Sequence, residues 1–517
     1  MIVDVSRSLT DLLGEEYTEA VCRGRAALTG EDPAALRALA DRKVDFFPAA
    51  MQRRQEALFD RVGTRVAEPA GLPRGGAAMD AWQAANKGDA APVNGYGCYR
   101  VGEDGRLYFA AKSEHYHIPL GHAFPGHDLL ETARALGIPN ATHNTTRGYV
   151  TRLLEEELVR AANGVAPGDD AGLAAVLEKR EPGVPNRVVN LETGSLAVEA
   201  ALKMMLSRFY PNEGGDAPYV GRIPVFLVIG DNEGGPTANY HGTTLIEQTL
   251  RGQWPDYCGK AEAAGLYRSV PVAIGDAADL AEKLARYDEP PYKVAGFLHE
   301  IVLMNYAAIR LSEAYLREAY RLCRAHDAPV LCDEIQSCAW YPDVFLFRDY
   351  GLDPDFVSVG KGFPGGAYPA SRIIASARYD NLPLFGALVT NGQEELASLA
   401  YLITLAFLRE NGAHVRDIAA HYTARLQALA AKHPRLVAGV SGDGHMGALS
   451  FVDAESAIAF NKKMAAQCID TGMQTYKPNC PPVVLTKLPL IVTRPIVDAL
   501  AARMDAALAQ VGEEARR

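Results

Sequence analysis

Residues 358–366 read SVGKGFPGG. The apolar run that begins at Phe356 stops at Gly360, a single lysine follows, and a glycine-rich turn comes next. A lysine in that place is costly if buried, and it has no acidic partner close by in sequence. One reading is a solvated loop lysine. The other is a reactive amine held over a bound group, and the rest of the chain has to decide between them.

Outward from Lys361 the sequence alternates. Five short apolar runs, RVVNL (187–191), VFLVIG (225–230), VAGFLHEIV (294–302), APVLCDE (328–334) and FVSVG (356–360), are separated by amphipathic stretches. Among these are SLAVEAALKMMLSRFY before the second run and SEAYLREAYRLCRAHD between the third and fourth. Short buried runs alternating with helices predict an α/β fold, a mostly parallel sheet covered on both faces. Residues 151–392 are expected to form this large domain. Residues 393–517, opening with the apolar helix EELASLAYLITLAFLRE, are expected to form a smaller C-terminal domain of helices and short strands. Residues 96–150 carry a hairpin signal around Glu103-Asp104-Gly105. Residues 1–95 read as a charged helical extension followed, from Glu68 to Gly97, by an irregular Pro/Gly/Ala-rich arm.

The 517 residues are 48% hydrophobic and 22% charged with a net charge of -11. With no long basic run, nucleic acid and anionic membranes are poor partners. No apolar stretch reaches about 18 residues, so no transmembrane helix is expected, and the N-terminus has acids where a secretion signal needs bases. Eight cysteines scattered through so long a chain fit free thiols in a reducing cytoplasm.

In open parallel sheets, ligands bind beyond the carboxyl ends of strands. Lys361 lies there, and so does Asp333, 28 residues earlier (361 - 333), with Gln336 just beyond it. Thr193-Gly194-Ser195 opens a helix, where free N–H groups favour a phosphate. Tyr240-His241-Gly242 follows the second run and supplies an aromatic face. A phosphate cradle, a carboxylate, an aromatic plate and a lysine are the requirements of pyridoxal phosphate. Lysine forms a Schiff base with its aldehyde, the acid pairs with its pyridine nitrogen, and the aromatic ring stacks on it.

In ETGSLAVEAALK, NYHGTT, HEIV, LCDEIQ and SVGKGFPGG the sequence resembles the class III, ornithine- and GABA-type, aminotransferases of fold type I. IPLGHAFP, VTNGQEELA and GDGHMGALSF are weaker matches, and the resemblance spans about 95 to 500. It implies a pyridoxal-phosphate-dependent aminotransferase acting on a small amine or amino acid and a carbonyl compound. Lys361 and Asp333 would be catalytic, and Thr193, Gly194, Ser195, Tyr240, Gln336 and Thr390 would help bind the cofactor. It places Gln336 near the ring hydroxyl and Thr390 on the phosphate of a neighbouring subunit, hence a homodimer with shared active sites. Racemases, aminomutases and decarboxylases use the same cofactor site and are the alternative chemistry. A non-catalytic binding module on this fold is a third reading.

The chain also departs from that family. Where several members carry arginine after the YHG motif, Thr243 stands here, and Lys487 in VVLTKLPL lies where an arginine partner of the acid matched to Glu300 is common. Glu394 replaces an asparagine after Thr390. Lysine lacks arginine's two-pronged grip on a carboxylate. Glutamate and 2-oxoglutarate are therefore expected to be poor substrates, unless another arginine such as Arg147 serves. His115, His117, His122 and His127 lack cysteine-pair or HExxH spacing, so they are not read as metal ligands. The resemblance instead places this stretch at the active-site mouth, with His115, Tyr116 or His117 against substrate.

Overall fold

The computed structural model describes residues 2–71, 75–212, 215, 217–230, 235, 238–477 and 480–514. The expected irregular arm is partly ordered: β1 (Pro92–Tyr96) pairs with β2 (Tyr99–Gly102), which pairs with β3 (Leu107–Phe109) across the Glu103–Gly105 turn. Prolines and glycines within 68–97 hid this edge strand from a reading of composition.

Seven strands form the large sheet: β4 (Pro185–Leu191), β5 (Ile223–Ile229), β6 (Arg268–Val272), β7 (Tyr292–His299), β8 (Val330–Asp333), β9 (Phe356–Val359) and β10 (Ser371–Ser376). Their spatial order is β4-β10-β9-β8-β7-β5-β6. Neighbours are parallel except at β10, which runs antiparallel to β9 and β4. The fold is therefore α/β with a mostly parallel sheet. The sequence RSVPV at β6 has no continuous apolar run, so alternation alone does not reveal it. Helices cover the sheet with buried stripes at three- and four-residue spacing. In Glu313–Ala325 the stripe is Tyr315, Leu316, Ala319, Tyr320 and Cys323, and Ser312 caps the helix by accepting from the Tyr315 N–H.

A second sheet, antiparallel and in the order β11-β12-β14-β13, holds β11 (Val437–Asp443), β12 (Met446–Phe451), β13 (Gly472–Gln474) and β14 (Val483–Lys487). The helix Glu395–Lys432 links the two sheets. Its first half is buried on every side, and it runs 38 residues. No helix among the described residues is long and apolar enough to cross a membrane.

Register positions the site. Cys332 pairs with His299, and Asp333 pairs with Ser358. Glu300, Asp333 and Lys361 thus leave three adjacent parallel strands at the same edge.

Candidate active site

Asp333 closes β8 and is buried, which alone would raise its pKa. Partners reverse the effect. The His241 ring nitrogen Nδ1 lies 2.9 Å from Oδ2, the Ser358 hydroxyl donates to Oδ1, and the Ile335 N–H donates to Oδ1 at 3.1 Å. The net result holds the carboxyl below the usual aspartate range. His241 is fully buried, which disfavours its cation. Asp333, Glu247 and Glu300 outweigh that and push it up to about 9. An Asp333–His241 ion pair therefore sits at the end of β8.

Two further acids stand behind this pair. Glu300, one residue beyond β7, accepts from Asn239 Nδ2 at 3.1 Å. Burial and the Asp333 charge push it up to about 8. Glu247, in the first turn of the helix Leu245–Leu250, is fully buried, and neither carboxyl oxygen makes a hydrogen bond. Burial, opposed by His241, pushes it up to about 7. His241, Asn239 and Glu247 were not singled out individually from sequence. A helical-wheel reading places Glu247 on no special face, and only the packing of its helix beside His241 buries it.

Lys361 follows Gly360, whose missing Cβ would lie 2.1 Å from Ser371 Oγ. A side chain at 360 would force Ser371 to turn away, which favours glycine directly before the lysine. Lys361 itself adopts φ +46°, a conformation that favours glycine. Burial presses its amine below the usual lysine pKa, against the pull of Glu300 and Asp333. Nζ lies 5.5 Å from the centre of the Tyr116 ring.

Thr193 caps the helix Gly194–Leu206, its hydroxyl accepting from the Leu196 N–H at 3.4 Å. Ser195 Oγ accepts from the Thr243 N–H at 2.9 Å, with Thr243 Oγ1 at 3.1 Å. Gly242, at φ +85°, brings the two turns together; a Cβ there would lie 2.8 Å from Ser195 Cα. Tyr240 is half-buried under the Arg251 guanidinium, 5.6 Å from its ring centre. Gln336 Oε1 is buried without a partner, while its backbone carbonyl accepts from Lys487 Nζ. Thr390 is exposed on the loop before the helix Glu395–Lys432 and touches none of these groups.

Lys487, the last residue of β14, is fully buried with its amine 4.9 Å from the Tyr116 ring centre and 4.1 Å from that of Trp340. Glu300, expected to face this position, hydrogen-bonds to Asn239 instead. Burial, then the Lys361 charge, press the Lys487 pKa well below the lysine norm. Arg147 is tied to Glu155 at 3.1 Å. Of the four histidines, His122 lies 3.1 Å from Glu114, and His127 is buried against Phe124 with Nε2 unpartnered. His115 and His117 face Lys361, and burial, followed by neighbouring lysine charge, lowers both.

A family described as aminotransferase class-III matches residues 83–508. An ornithine aminotransferase of Bordetella pertussis is 28% identical over 343 residues, covering 63% of this chain and 73% of the relative. An acetylornithine aminotransferase of Thermosynechococcus vestitus is 27% identical over 425 residues, covering 81% and 92%. Among solved structures, the ornithine aminotransferase of Toxoplasma gondii superposes with a TM-score of 0.65 at 18% identity, covering 82% of this chain and 91% of that one.

Proposed function

The chain belongs to the class-III aminotransferases, which are pyridoxal-phosphate-dependent transferases, and from that premise we propose that Lys361 holds the cofactor at the strand ends described above. The observation that carries this is the convergence of a buried amine, an ionised Asp333 and an unpartnered Gln336 Oε1 at one sheet edge. These fit the group. The lone Gln336 oxygen suits a ring hydroxyl, the 194–196 helix start suits a phosphate, and the Asp333–His241 pair suits a protonated ring nitrogen. Bound there, pyridoxal phosphate supplies an aldehyde for the amino nitrogen and a pyridinium ring that draws electrons from the neighbouring carbon.

The chain's own residues then have defined tasks. Asp333 keeps a proton on the ring nitrogen, and His241 keeps Asp333 ionised. With the cofactor bound, Lys361 Nζ would take and return a proton at the substrate carbon as general base, aided by its lowered pKa. Tyr240 would supply the aromatic face for the ring, and Thr193, Gly194 and Ser195 would hold the phosphate.

The amino donor in this reading is a small amine or amino acid other than glutamate. Thr243 turns toward Ser195, and Arg147 is occupied by Glu155. Lys487 offers one amine where a forked guanidinium would bind a carboxylate more firmly. The reading includes a homodimer with shared active sites, supported by the exposed Thr390 and by Leu384 and Phe385 exposed at 61% and 82% beside it. The division at 95, 150 and 392 is supported by the large sheet lying wholly within 185–376 and the second sheet within 437–487. A cytoplasmic site of action is supported by the lack of any disulfide among the described residues. A panel of amines followed through the first half-reaction tests the substrate reading. Conversion of the bound cofactor by glutamate faster than by any neutral or basic amine sinks it.

A further inference from the structure

Ser113, Glu114, His115 and Tyr116 have φ of 49°, 49°, 59° and 77°, and Glu114 and His115 have ψ of 53° and 41°. Four successive non-glycine residues therefore form one turn of left-handed helix. L-residues avoid it because Cβ crowds the following carbonyl, and such residues normally occur singly. Nothing in the sequence SEHY favours the turn, so its surroundings must impose it. Ser113 Oγ donates to the Lys487 carbonyl at 2.6 Å. Glu114 Oε1 accepts from Arg100 Nη1 at 2.7 Å and lies 3.1 Å from His122 Nε2. Arg100 is itself buried, donates to the Ala90 carbonyl at 3.0 Å, and also pairs with Asp470 just before β13. One guanidinium thus ties together β2, the turn and the C-terminal sheet region. Strain held by such over-determination concentrates where a site needs it. Here the turn ends in Tyr116, whose ring lies beneath both Lys361 and Lys487.

We propose that Glu114 is a positioning residue: gripped by Arg100, it holds Ser113–Tyr116 in the left-handed turn that sets the Tyr116 ring against the amines of Lys361 and Lys487. In the cofactor-free protein the ring's negative face favours the protonated form of an amine that burial and the neighbouring lysine disfavour. This rests on the reading of Lys361 as the cofactor lysine. Without the grip the turn relaxes to right-handed or extended backbone, and Tyr116 leaves the amines. Glu300, Asp333, Cys338, Lys487, His115 and His117 also face Lys361; a change at Glu114 leaves the first four in place but moves His115 with the turn and removes a carboxylate charge that acts on His117.

The test is a double-mutant cycle on the holoenzyme with Glu114→Gly and Tyr116→Leu. Glycine accepts the left-handed backbone freely, so Glu114→Gly removes the grip while easing the strain. Melting of the cofactor-free protein should hold or rise while kcat falls about tenfold, the scale of a lost cation–π contact. Tyr116→Leu should lose a similar factor, and the double variant should lose no more than either alone. Glu114→Gln should keep part of the rate, and Tyr116→Phe nearly all of it. The pH midpoint for reductive methylation of Lys361 in the cofactor-free protein should fall in both Glu114→Gly and Tyr116→Leu. Additive losses in the cycle, or an unmoved midpoint, overturn the proposal. If Glu114→Gly fails to fold, the Glu114→Gln and Tyr116→Leu pair closes the same cycle. Borohydride trapping of the cofactor on wild-type Lys361 separates the two failures. Label elsewhere defeats the cofactor reading, whereas label on Lys361 with an additive cycle defeats only the role of Glu114.

Discussion

Two walls face each other across Lys361, and they are built differently. The wall at the strand ends is paired around Asp333 and leaves the Gln336 side-chain oxygen open. Asp333 has three hydrogen-bond partners, His241 is paired with it, and regular β geometry holds Asp333 in place. The opposite wall is strained and unsatisfied. It consists of a left-handed turn and a buried lysine with no carboxylate in ion-pair range among the described residues. A site needs groups fixed in place for a partner that never changes. For molecules that come and go, it needs groups whose pairing is left to the visitor. The contrast supports the proposal that the first wall holds the cofactor and the second selects substrate.

Changes on the first wall should cost the most. Lys361→Ala should lower the rate by about 10⁴-fold or more, because it removes both the attachment point and the general base. Peptide mapping after borohydride reduction should find the label on Lys361 in the wild type and nowhere in the variant. Label on a different lysine breaks the assignment at its root.

Asp333→Asn should cost kcat about 10²–10³-fold, since an amide cannot hold the ring proton. The melting temperature should fall by only a few degrees, as Ser358 and Ile335 can still bond the side chain. Equal damage to stability and to rate would make Asp333 a structural residue and erase the difference between the walls.

Glu247 sharpens the comparison through pH. Its carboxyl titrates at about 7 in the folded protein against 4.5 for an ordinary glutamate. A raised acid binds its proton more tightly when folded. Its ionisation therefore removes stability as pH climbs from the unfolded value through the folded one, and the loss is complete above about 7. The gap is worth roughly 3 kcal/mol at most. Glu247→Gln should be nearly neutral in chemical denaturation at pH 5 and stabilising by about 2–3 kcal/mol at pH 8. A variant with the same advantage at both pH values would show that the carboxyl does not ionise in the fold.

The smallest change is expected at Lys487. Lys487→Met should stabilise the fold by about 1 kcal/mol, because it removes a buried amine without a counter-charge. It should raise KM about tenfold for carboxylate-bearing substrates and leave neutral amines unchanged. A uniform rise for both classes would mean that Lys487 shapes the wall by volume alone.

Much of the first wall was legible in the chain. The order Thr193–Ser195, Tyr240, Asp333, Gln336 and Lys361 marks the ends of apolar runs, and strands of a parallel sheet deliver their ends to one edge. Local pattern therefore carried that information. The second wall was not legible, for stated reasons. SEHY contains no glycine to announce a left-handed turn. The Arg100–Asp470 pair spans 370 residues. Lys487 looked like a substitute partner for Glu300 until packing paired that acid with Asn239.

The antiparallel β10, the strand β6 and the edge strand β1 likewise lack a sequence period of their own and exist because a neighbouring strand offers hydrogen bonds. What the sequence by itself determined was the alternation of strand and helix, the family and the groups at the strand ends, because these follow from apolar period and from residues a few positions apart. What only the tertiary structure decided was protonation and strain. His241 is held charged, Glu247 is left unpaired and Ser113–Tyr116 is wound the wrong way, because burial and long-range pairing depend on segments that meet only after the chain has closed.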